Sequence, residues 1–316
     1  MTPAKWQLMA NYQPAEVPFN QNTAHKMTLL TFRFAPSPNG ELHLGHAYSA
    51  LLNQRMAATS GGRLLLRIED IDVARCTPEF EAAISRDLKW LGFAWEEPVR
   101  RQSGHFGEYK AVLDRLIAEE LVYPAFMSRG EIRAFIAETE RRGRGWPRDP
   151  DGVPLYPPQD KALTTRERKR RFAENAPFAW RLDVEAAMAR APGLSWVEFT
   201  DDTMAATRTV EARPRDWGDV IVARRDIPTS YHLAVVLDDA LQGVSHVVRG
   251  QDLYSATGVQ RLLQELLGLS PPSYFHHRLI LGPDGRKLSK SLKDIGLAAL
   301  REAGMSPQDV WRMVGL

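Results

Sequence analysis

The chain has 316 residues, which is long enough for two or three domains, each with its own hydrophobic core. Its apolar fraction of 44% and charged fraction of 25% are typical of globular proteins, and a formal net charge of +2 leaves any nucleic-acid binding to a local basic patch. The single cysteine, Cys76, excludes an intramolecular disulfide and a cluster of thiolate metal ligands. No segment has the length of a membrane span or the apolar core of a signal peptide, so we expect a cytoplasmic enzyme without a membrane partner.

Residues 1–26 are polar and show neither helical nor strand periodicity, which predicts a disordered extension. Met27 stands directly before the first apolar run, and we hypothesise that the natural chain begins there. N-terminal sequencing of the natural protein would decide between the two start sites.

The next stretch combines a strand, a stiff turn and a helix. Residues 29–35 form an apolar run typical of a buried strand, and Pro36 and Pro38 then force the chain into a fixed turn. A helical pattern follows over residues 43–60. Because the first turn of a helix offers free backbone N–H groups and the positive end of the helix dipole, this arrangement predicts a phosphate site.

Two histidines and a glycine occupy the first turn of that helix. His43 and His46 can donate hydrogen bonds to a phosphate as its charge develops, and Gly45 allows a ligand to lie against the backbone. The alternative is that both histidines are surface or capping residues, which would be equally plausible for an isolated HxGH pattern. The preceding APSPNG sequence at residues 35–40 favours the phosphate site.

A second buried strand is predicted at residues 64–70, and helices follow from Pro78 and around 109–117. Apolar runs that alternate with helices predict a parallel sheet covered on both faces, and such sheets bind ligands at the carboxyl ends of their strands. Glu69 lies at such an end. We interpret the neighbouring Asp70 and Asp72 as loop carboxylates that cap the following helix.

The composition changes over residues 124–197, where long apolar runs disappear and Pro, Gly and Arg become frequent. Basic residues are in excess there and concentrate at 141–144 and 166–171. A charged run is as often a solvated helix face as a contact for a nucleic-acid backbone, so both interpretations stay open. We expect this segment to be a small domain inserted into the sheet domain.

The sheet pattern resumes at residues 219–223 and continues with a helix over 231–241, a strand over 245–250 and a helix over 256–267. Arg249 lies at the end of its predicted strand, as Glu69 lies at the end of the strand predicted at residues 64–70. Both charged side chains are therefore expected at the edge where such sheets bind ligands.

A strand predicted at residues 279–281 leads into a glycine-led turn and a loop with two lysines and two serines. Lys287, Ser289 and Lys290 suit a mobile phosphate clamp, because lysine is a flexible point charge that can follow a phosphate. This pattern is weak when taken alone, since basic loops are common. Its pairing with the histidine motif strengthens it.

Two of these stretches resemble known signatures. Residues 33–46 resemble the HIGH signature of class I aminoacyl-tRNA synthetases, and residues 287–291 resemble their KMSKS loop. The stretches RFAPSPNGELHLGH, LRIEDID, YHLAVVLDD and HVVRGQDL are similar to glutamyl-tRNA synthetase catalytic domains. The resemblance covers residues 29–295 and is weak over 124–197.

This resemblance and the order of strands and helices predict an α/β fold. The expected architecture is a Rossmann-like doubly wound parallel sheet with a small inserted domain and a short helical C-terminal piece. We expect the catalytic domain at residues 27–123 and 198–270 and the inserted domain at 124–197. Residues 271–316 would hold the KMSKS-type loop and the C-terminal helices.

The resemblance also implies the substrates, which are L-glutamate and ATP with Mg²⁺. The residues it implies for glutamate are Arg33, Ala35, Ser37, Glu69, Tyr231 and Arg249. The residues it implies for ATP are His43, Gly45, His46, Asp252, Lys287, Ser289 and Lys290, and those for catalysis are His43, His46 and Lys290. A carboxylate suits the ammonium group of a free amino acid and arginines suit its carboxylates, which agrees with these assignments.

One departure from the family concerns a zinc site in the inserted domain, where relatives use a Cys-x-Cys pair, a tyrosine and a third cysteine. The corresponding positions here are Ala125, Met127, Tyr156 and Asp160, of which only Tyr156 matches. We therefore predict that the chain binds no zinc. Packing must then hold this domain together, and the aromatic candidates are Tyr123, Phe126, Trp146, Tyr156 and Trp180.

Glutamyl-tRNA synthetases continue past the KMSKS loop with a helical anticodon-binding region, whereas only 25 residues follow it here. The chain thereby resembles one branch of the family, the glutamyl-Q tRNA(Asp) synthetases. The resemblance implies a monomer that activates glutamate without tRNA and transfers it to the queuosine base at the wobble position of tRNA(Asp). Two alternatives stay open: a truncated glutamyl-tRNA synthetase that charges tRNA(Glu), and a non-catalytic protein of the same fold that binds glutamate or ATP.

Overall fold

The computed structural model describes residues 29–282 and 296–316. In chain order, its strands are β1 (Thr31–Phe34), β2 (Arg63–Ile68), β3 (Glu96–Arg101), β4 (Val122–Ala125), β5 (Ala179–Leu182), β6 (Ser195–Phe199), β7 (Thr207–Glu211), β8 (Ile221–Arg224), β9 (His246–Gly250) and β10 (Ser273–His277). Its α-helices are α1 (Leu44–Ser60), α2 (Pro78–Trp90), α3 (Phe106–Ala118), α4 (Arg129–Arg141), α5 (Thr165–Ala173), α6 (Val184–Arg190), α7 (Tyr231–Leu241), α8 (Thr257–Leu267), α9 (Leu297–Glu302) and α10 (Pro307–Val314). Short 3-10 helices lie at Gln102–His105, Pro158–Asp160, Pro214–Trp217 and Gln251–Leu253. Every helix in these ranges falls short of the length and apolarity that a membrane span requires.

Two sheets meet edge to edge and form the central layer. One has the parallel order β1-β2-β3; the other has the order β7-β6-β10-β9, with only the edge strand β7 antiparallel to its neighbour. The sheets join where the Ser245 N–H donates to the Thr31 carbonyl at 3.1 Å. Because this bond links the starting ends of β1 and β9, the carboxyl ends of these strands border a common crevice, where doubly wound sheets bind their ligands.

Helices cover both faces of this layer. Successive side chains of a strand point to opposite faces, so Leu64 and Leu66 of β2 pack in one core with α1 and α2. Leu65 packs in the other core with α3, α7 and α8. The prediction of an α/β fold with a doubly wound, mainly parallel sheet is therefore confirmed.

Helix α1 begins and ends at residues suited to its two ends. His43 is the N-cap and adopts an extended backbone conformation. Gly61 ends the helix at φ +63°, a left-handed conformation that favours glycine, and its N–H donates to the Ala58 carbonyl at 3.3 Å. A Cβ atom on Gly62 would lie 2.6 Å from the Leu30 carbonyl oxygen, so a glycine is required for the chain to enter β2.

Besides β4, β5, β6 and β7, for which no strand is predicted, three strands differ from the prediction. Strand β3, with the sequence EEPVRR, is not predicted, because a polar edge strand lacks an apolar run. The strand expected at residues 219–223 occurs as β8, but it pairs antiparallel with β5, placing Arg224 opposite Ala179, and does not enter the central sheet. The strand expected at 279–281 is wrong; the chain instead reaches the central sheet earlier, as β10, whose two histidines obscure its strand pattern.

Strands β4, β5 and β8 form a small antiparallel sheet on which aromatic side chains cluster. The rings of Phe126, Phe172 and Phe178 pack with centroids 5.0–5.8 Å apart. Trp180 lies edge to face on Phe178 at 5.5 Å, and Trp146 lies edge to face on a phenylalanine of α4 at 5.2 Å. Phe126, Trp146 and Trp180 therefore contribute the aromatic packing expected of them.

Polar contacts tie the same region together. The Tyr123 hydroxyl donates to Asp219 Oδ2 at 2.7 Å, and Lys161 Nζ lies 2.8 Å from the same oxygen. The guanidinium of Arg181 lies 3.9 Å from the centroid of the Tyr156 ring. Tyr123 and Tyr156 thus act through their hydroxyl and ring face as well as through apolar contact.

The C-terminal helices pack on α1. Leu297 of α9 and Val314 of α10 lie in the same core as Leu51 of α1. The Leu297 N–H donates to the Leu42 carbonyl at 2.7 Å, and Gly296 pairs with His43 in an isolated β-bridge. Residue 296 therefore lies beside the first turn of α1.

Candidate active site

The two histidines of the first turn of α1 hold each other through the backbone. His43 Nδ1 accepts a hydrogen bond from the Gly45 N–H at 3.1 Å, and His46 Nδ1 accepts one from the His43 N–H at 3.2 Å. The two ring centroids lie 3.8 Å apart. Because each Nδ1 is an acceptor, a neutral ring carries its proton on Nε2.

Gly45 leaves room for the His43 ring. A Cβ atom at residue 45 would lie 3.0 Å from His43 Cε1 and 3.1 Å from its Nδ1. Such contacts are tighter than van der Waals packing allows, so a larger residue would displace the ring. The glycine therefore keeps the imidazole in its capping position.

Beside this helix start, two buried arginines from neighbouring strands share one aspartate of α7. Arg33 Nε of β1 donates to Asp239 Oδ1 at 3.1 Å, and Arg67 Nη1 of β2 lies 2.8 Å from the same oxygen. Arg67 also donates from Nη2 to Glu69 Oε1 at 3.3 Å. The side chain of Arg67 is fully buried, and those of Arg33, Glu69 and Asp239 are at most 9% exposed.

The two carboxylates of this cluster differ in how well they are compensated. Burial would raise the pKa of Asp239, but the charges of Arg33 and Arg67 outweigh it and hold this pKa below its ordinary value. Burial raises the pKa of Glu69 above its ordinary value, although the same arginines oppose the shift. The Glu69 carboxylate would therefore be stabilised by a further cation.

A second aspartate, Asp238, anchors α7 from the other side. Its carboxylate accepts from Arg100 Nε at 2.8 Å, from Gln102 Nε2 at 2.8 Å and from the Tyr109 hydroxyl at 2.8 Å. Burial, reinforced by the Asp238 charge, raises the pKa of Tyr109, which keeps the phenol protonated as a donor. These bonds fix the helix that supplies both aspartates and, at its first residue, Tyr231.

Arg249 approaches from the end of β9. Its Nη1 lies 3.5 Å from the Tyr231 hydroxyl, and its Nη2 donates to Thr257 Oγ1 at 2.7 Å. Burial raises the pKa of Tyr231, and the charges of Arg249, Glu69 and Arg33 all act on its hydroxyl. The structure thus brings together the ends of β1, β2 and β9 around the first residue of α7.

Several polar atoms around Tyr231 are buried without a hydrogen-bond partner among the described residues, namely Ser230 Oγ, His232 Nδ1 and Gln260 Nε2. Burial and the nearby charge of Arg249 lower the pKa of His232 to about 4, so its ring is neutral. An unsatisfied buried polar group typically costs ~1–3 kcal/mol. Orphaned polar groups next to an arginine are typical of a site that takes a polar ligand.

The remaining predicted residues occupy three regions. Ala35 and Ser37 flank Pro36, whose carbonyl accepts the Glu69 N–H at 3.1 Å, so this turn borders the carboxylate. Asp252 lies beside Gly250, where a Cβ atom would lie 2.4 Å from Asp252 Oδ1. The predicted phosphate-binding residues Lys287, Ser289 and Lys290 lie outside the described residues.

The buried polar side chains around Arg33, Tyr231 and Arg249 also include residues that the sequence motifs do not assign. They are Arg67, Asp239, Glu198, Thr257, Gln260 and His276. Arg67 carries a usable signal, because an arginine inside the apolar run LLLRI is predicted to be buried and must then have a carboxylate partner. Asp239 lies within the apolar helix sequence AVVLDDAL, which is a similar signal. Glu198 and His276 belong to strands whose composition gives no such indication.

The positions that correspond to the zinc ligands of relatives do not suit a cation. Asp160 is buried, and its Oδ2 accepts from the Phe126 N–H at 2.6 Å, from the Met127 N–H at 3.0 Å and from the Tyr156 hydroxyl. Arg171 Nη1 lies 3.3 Å from Oδ1 of the same carboxylate. Donors and a guanidinium converge here on an anion, which is the reverse of a metal site. Among the described residues, no group of three or more His, Cys, Asp or Glu is arranged to hold a metal ion.

Replacing Asp160 tests whether its carboxylate holds together the segment around β4 and β5. Asp160→Ala leaves two backbone N–H groups and a phenol without their acceptor, so we expect the free energy of unfolding to fall by ~2–4 kcal/mol. Urea unfolding followed by tryptophan fluorescence measures the change, with Asp151→Ala, an exposed carboxylate of a nearby turn, as the control. A zinc chelator is expected to leave the wild-type midpoint unchanged. A lower midpoint with chelator, or equal stability of the two variants, would contradict this account.

Comparison with known proteins places the site in a family context. Residues 29–316 match the family described as tRNA synthetases class I (E and Q), catalytic domain. The glutamyl-Q tRNA(Asp) synthetase of Rhodobacter capsulatus is 43% identical over 291 residues, which cover 90% of this chain and 99% of that protein. The glutamyl-Q tRNA(Asp) synthetase of Symbiobacterium thermophilum is 38% identical over 298 residues, which cover 89% of this chain and 84% of that protein.

Longer relatives match over the same part of the chain. Glutamate–tRNA ligase 2 of Jannaschia sp. is 36% identical, and the match covers 89% of this chain but 58% of that enzyme. The crystal structure of a glutamate tRNA ligase from Elizabethkingia meningosepticum, in complex with its amino acid, superposes with a TM-score of 0.67 at 28% identity. That superposition covers 84% of this chain, and the chain spans about half of that enzyme, 52% of its length.

Proposed function

This chain belongs to the class I tRNA synthetases of the glutamate and glutamine (E and Q) group, and from that membership we propose that it activates L-glutamate with ATP in the absence of RNA and then transfers the glutamyl group to the queuosine base at the wobble position of tRNA(Asp). The observation that carries the first step is the convergence of Arg33, Glu69 and Arg249 on Tyr231. The acceptor rests on the 43% identity to a glutamyl-Q tRNA(Asp) synthetase over 99% of that protein.

The charges of the site complement a free glutamate, which carries one ammonium and two carboxylate groups. Glu69 suits the ammonium, because a cation would offset the burial that raises its pKa. Arg249 suits a carboxylate through Nη1, which faces the Tyr231 hydroxyl. Arg33 is held at Nε by Asp239, which leaves its terminal guanidinium nitrogens for a second carboxylate.

The first step is an in-line displacement at the α-phosphorus of ATP. An oxygen of the glutamate α-carboxylate forms a bond to that phosphorus, while the bond to the bridging oxygen of the β-phosphate breaks and its electron pair leaves with pyrophosphate. The products are glutamyl-adenylate and pyrophosphate. No side-chain nucleophile is required, so the protein contributes positioning and stabilisation of phosphate charge.

The helix start that carries His43 and His46 is the proposed site of that stabilisation. Their Nε2–H groups and the dipole of α1 would meet the phosphates as charge shifts toward pyrophosphate. Gly45 permits a phosphate to approach the backbone closely. The assignment to ATP rests on the family resemblance alone for Asp252, Lys287, Ser289 and Lys290. Mg²⁺ accompanies the triphosphate in such reactions and neutralises part of its charge.

In the second step a hydroxyl of the queuosine cyclopentene ring attacks the activated carbonyl and loses its proton to solvent, while AMP leaves with the electron pair of the mixed anhydride bond. One alternative is a truncated glutamyl-tRNA synthetase that charges tRNA(Glu). The identity of 43% to a glutamyl-Q enzyme over 99% of its length, against 36% and 39% to glutamate–tRNA ligases of which 58% and 59% are covered, supports the queuosine acceptor. A non-catalytic glutamate- or ATP-binding protein is disfavoured, because a pure binder has no need of both histidines and the lysine loop.

A basic cavity near the site supports an RNA partner. It measures about 460 Å³ and is lined by three arginines, Arg129, Arg224 and Arg225, by one carboxylate, Asp226, and by Phe178 with smaller apolar residues. Arg225 is fixed by donation to the Asn175 carbonyl at 3.0 Å, whereas Arg129 and Arg224 form no ion pair with another described residue. Unpaired arginines beside an aromatic ring suit the phosphates and bases of a single-stranded loop. The cavity borders the connection from β8 to α7, the helix that begins with Tyr231.

The role of the first turn of α1 is tested by His46→Ala. This change removes one donor to the transition-state phosphate, so we expect glutamate-dependent ATP–pyrophosphate exchange to fall by about two orders of magnitude, the usual effect of losing such a donor. In Lys290→Ala, the rate of exchange is expected to fall by the same factor. The control is His105→Ala, which removes an imidazole from the start of α3. Near-normal exchange in His46→Ala would refute the assignment, provided circular dichroism shows an intact fold.

The basic cavity is tested by separating the two steps. Arg224→Ala is expected to raise the KM for tRNA in glutamyl transfer by about fivefold to tenfold, because each lost phosphate contact weakens binding, while exchange without RNA stays within twofold of wild type. Arg86→Ala, an exposed arginine of α2, is the matched control. An unchanged KM for tRNA in Arg224→Ala would remove this cavity from the RNA-binding surface.

The acceptor is tested with labelled glutamate and two forms of one RNA. We expect transfer to tRNA(Asp) that contains queuosine and none to the same tRNA with guanosine at the wobble position. Transfer to the 3′ end of tRNA(Glu) would instead support the truncated glutamyl-tRNA synthetase. Glutamate-dependent exchange without transfer to any RNA would support neither acceptor.

A further inference from the structure

Arg249 is held by buried side chains that run across three neighbouring strands of the central sheet, β9, β10 and β6. Its Nε donates to His276 Nε2 at 3.1 Å, and its Nη2 donates to Thr257 Oγ1 at 2.7 Å and to the Leu253 carbonyl at 3.2 Å. The only other hydrogen bond of its guanidinium among the described residues joins Nη1 to the Tyr231 hydroxyl, at 3.5 Å. The guanidinium is therefore fixed on its Nε and Nη2 sides, and Nη1 is the nitrogen turned toward the site.

The bond between Arg249 and His276 determines the state of the imidazole. An arginine has only donors, so His276 Nε2 must accept and cannot carry a proton. Burial, with the charge of Arg249, lowers the pKa of His276 to about 4, which agrees with a neutral ring. The ring proton then lies on Nδ1, which is 3.0 Å from both oxygens of Glu198.

Both carboxylate oxygens of Glu198 accept hydrogen bonds. Its Oε2 accepts from the Trp196 indole N–H at 2.9 Å, and its Oε1 accepts from the His276 backbone N–H at 3.1 Å. The carboxylate is 3% exposed, and its bonds to His276 and Trp196 outweigh the effect of burial and keep its pKa below the ordinary value. Glu198 on β6 and His276 on β10 thus form a carboxylate–imidazole pair beside Arg249 on β9.

We propose that His276 and Glu198 are positioning residues for substrate: Glu198 fixes the tautomer of His276, and His276 in turn aims the Nη1 edge of Arg249 at a carboxylate of the bound amino acid. This inference rests on the proposed glutamate activation and adds two residues to it. A neutral acceptor is the suitable partner here. A carboxylate in direct contact with Arg249 would neutralise the cation that must attract the substrate, whereas an imidazole orients it and leaves its charge available.

The test compares three variants in ATP–pyrophosphate exchange without RNA. His276→Leu removes the acceptor and frees the guanidinium, so the KM for glutamate is expected to rise at least tenfold while the KM for ATP changes less than twofold. His276→Gln offers an amide oxygen close to the position of Nε2 and is expected to recover most of the glutamate affinity, to within about threefold of wild type. His246→Leu is the matched control, because this imidazole, at the start of β9, contacts Ser245, Phe32 and Phe199 but makes no bond to Arg249.

A second variant keeps the proposal testable if His276→Leu fails to fold. Glu198→Gln preserves the volume and the hydrogen bond from Trp196 through its amide oxygen but weakens the tautomer preference of His276, so the KM for glutamate is expected to rise about threefold to tenfold. A KM for glutamate within twofold of wild type in Glu198→Gln and in every His276 variant that folds would overturn the positioning role alone. Wild-type protein that shows no glutamate-dependent exchange would overturn the proposed function, and this inference with it.

Discussion

The site depends on one shared carboxylate. Asp239 of α7 lies between Arg33 of β1 and Arg67 of β2, and both arginines reach the same oxygen, at 3.1 and 2.8 Å. Removing charged groups from water costs several kcal/mol per ion, and these charges are stable only because each has a partner in good geometry. The fully buried Arg67 therefore fixes α7 against the end of β2, and α7 in turn carries Tyr231 into the crevice at the strand ends. Loss of any member would leave an uncompensated buried charge.

The two arginines that we assign to the proposed substrate, Arg33 and Arg249, are held in different ways, and the difference suits the proposed roles. Arg33 is held by a carboxylate, so its charge is partly offset. Arg249 is held by a neutral imidazole, a threonine hydroxyl and a backbone carbonyl, so it keeps its full attraction for an anion. Glu69 lies opposite with a carboxylate that its neighbours only partly compensate. One arginine with its full charge, a second whose charge is partly offset, and one under-compensated carboxylate together match an amino acid that carries two carboxylates and one ammonium group.

Much of this site is predictable from sequence because it lies where parallel strands end. The strand, the two prolines and the histidine pair predict the helix start of α1, and alternation of apolar runs and helices places Glu69 and Arg249 at one edge of the sheet. The partners of these residues are harder to predict. Asp239, His276 and Glu198 join strands and helices that are far apart in sequence, and a buried ion pair leaves no periodic pattern.

The differences between the predicted and observed strands also have physical reasons. Strand β3 carries mainly charged residues, because an edge strand needs no apolar face on its open side. The apolar run at β8 is predicted correctly as a strand, but composition does not distinguish a parallel from an antiparallel partner. Next to the small sheet of β4, β5 and β8, Asp160 accepts hydrogen bonds from backbone N–H groups, and no side-chain motif reveals this.

The most direct test of this account is the amino-acid dependence of ATP–pyrophosphate exchange by the wild-type protein in the absence of any RNA. If Arg33, Glu69, Tyr231 and Arg249 form a preassembled glutamate site, exchange should proceed with glutamate and be at least a hundredfold slower with glutamine or aspartate. Exchange that appears only after tRNA is added, or that proceeds equally well with glutamine, would contradict the account.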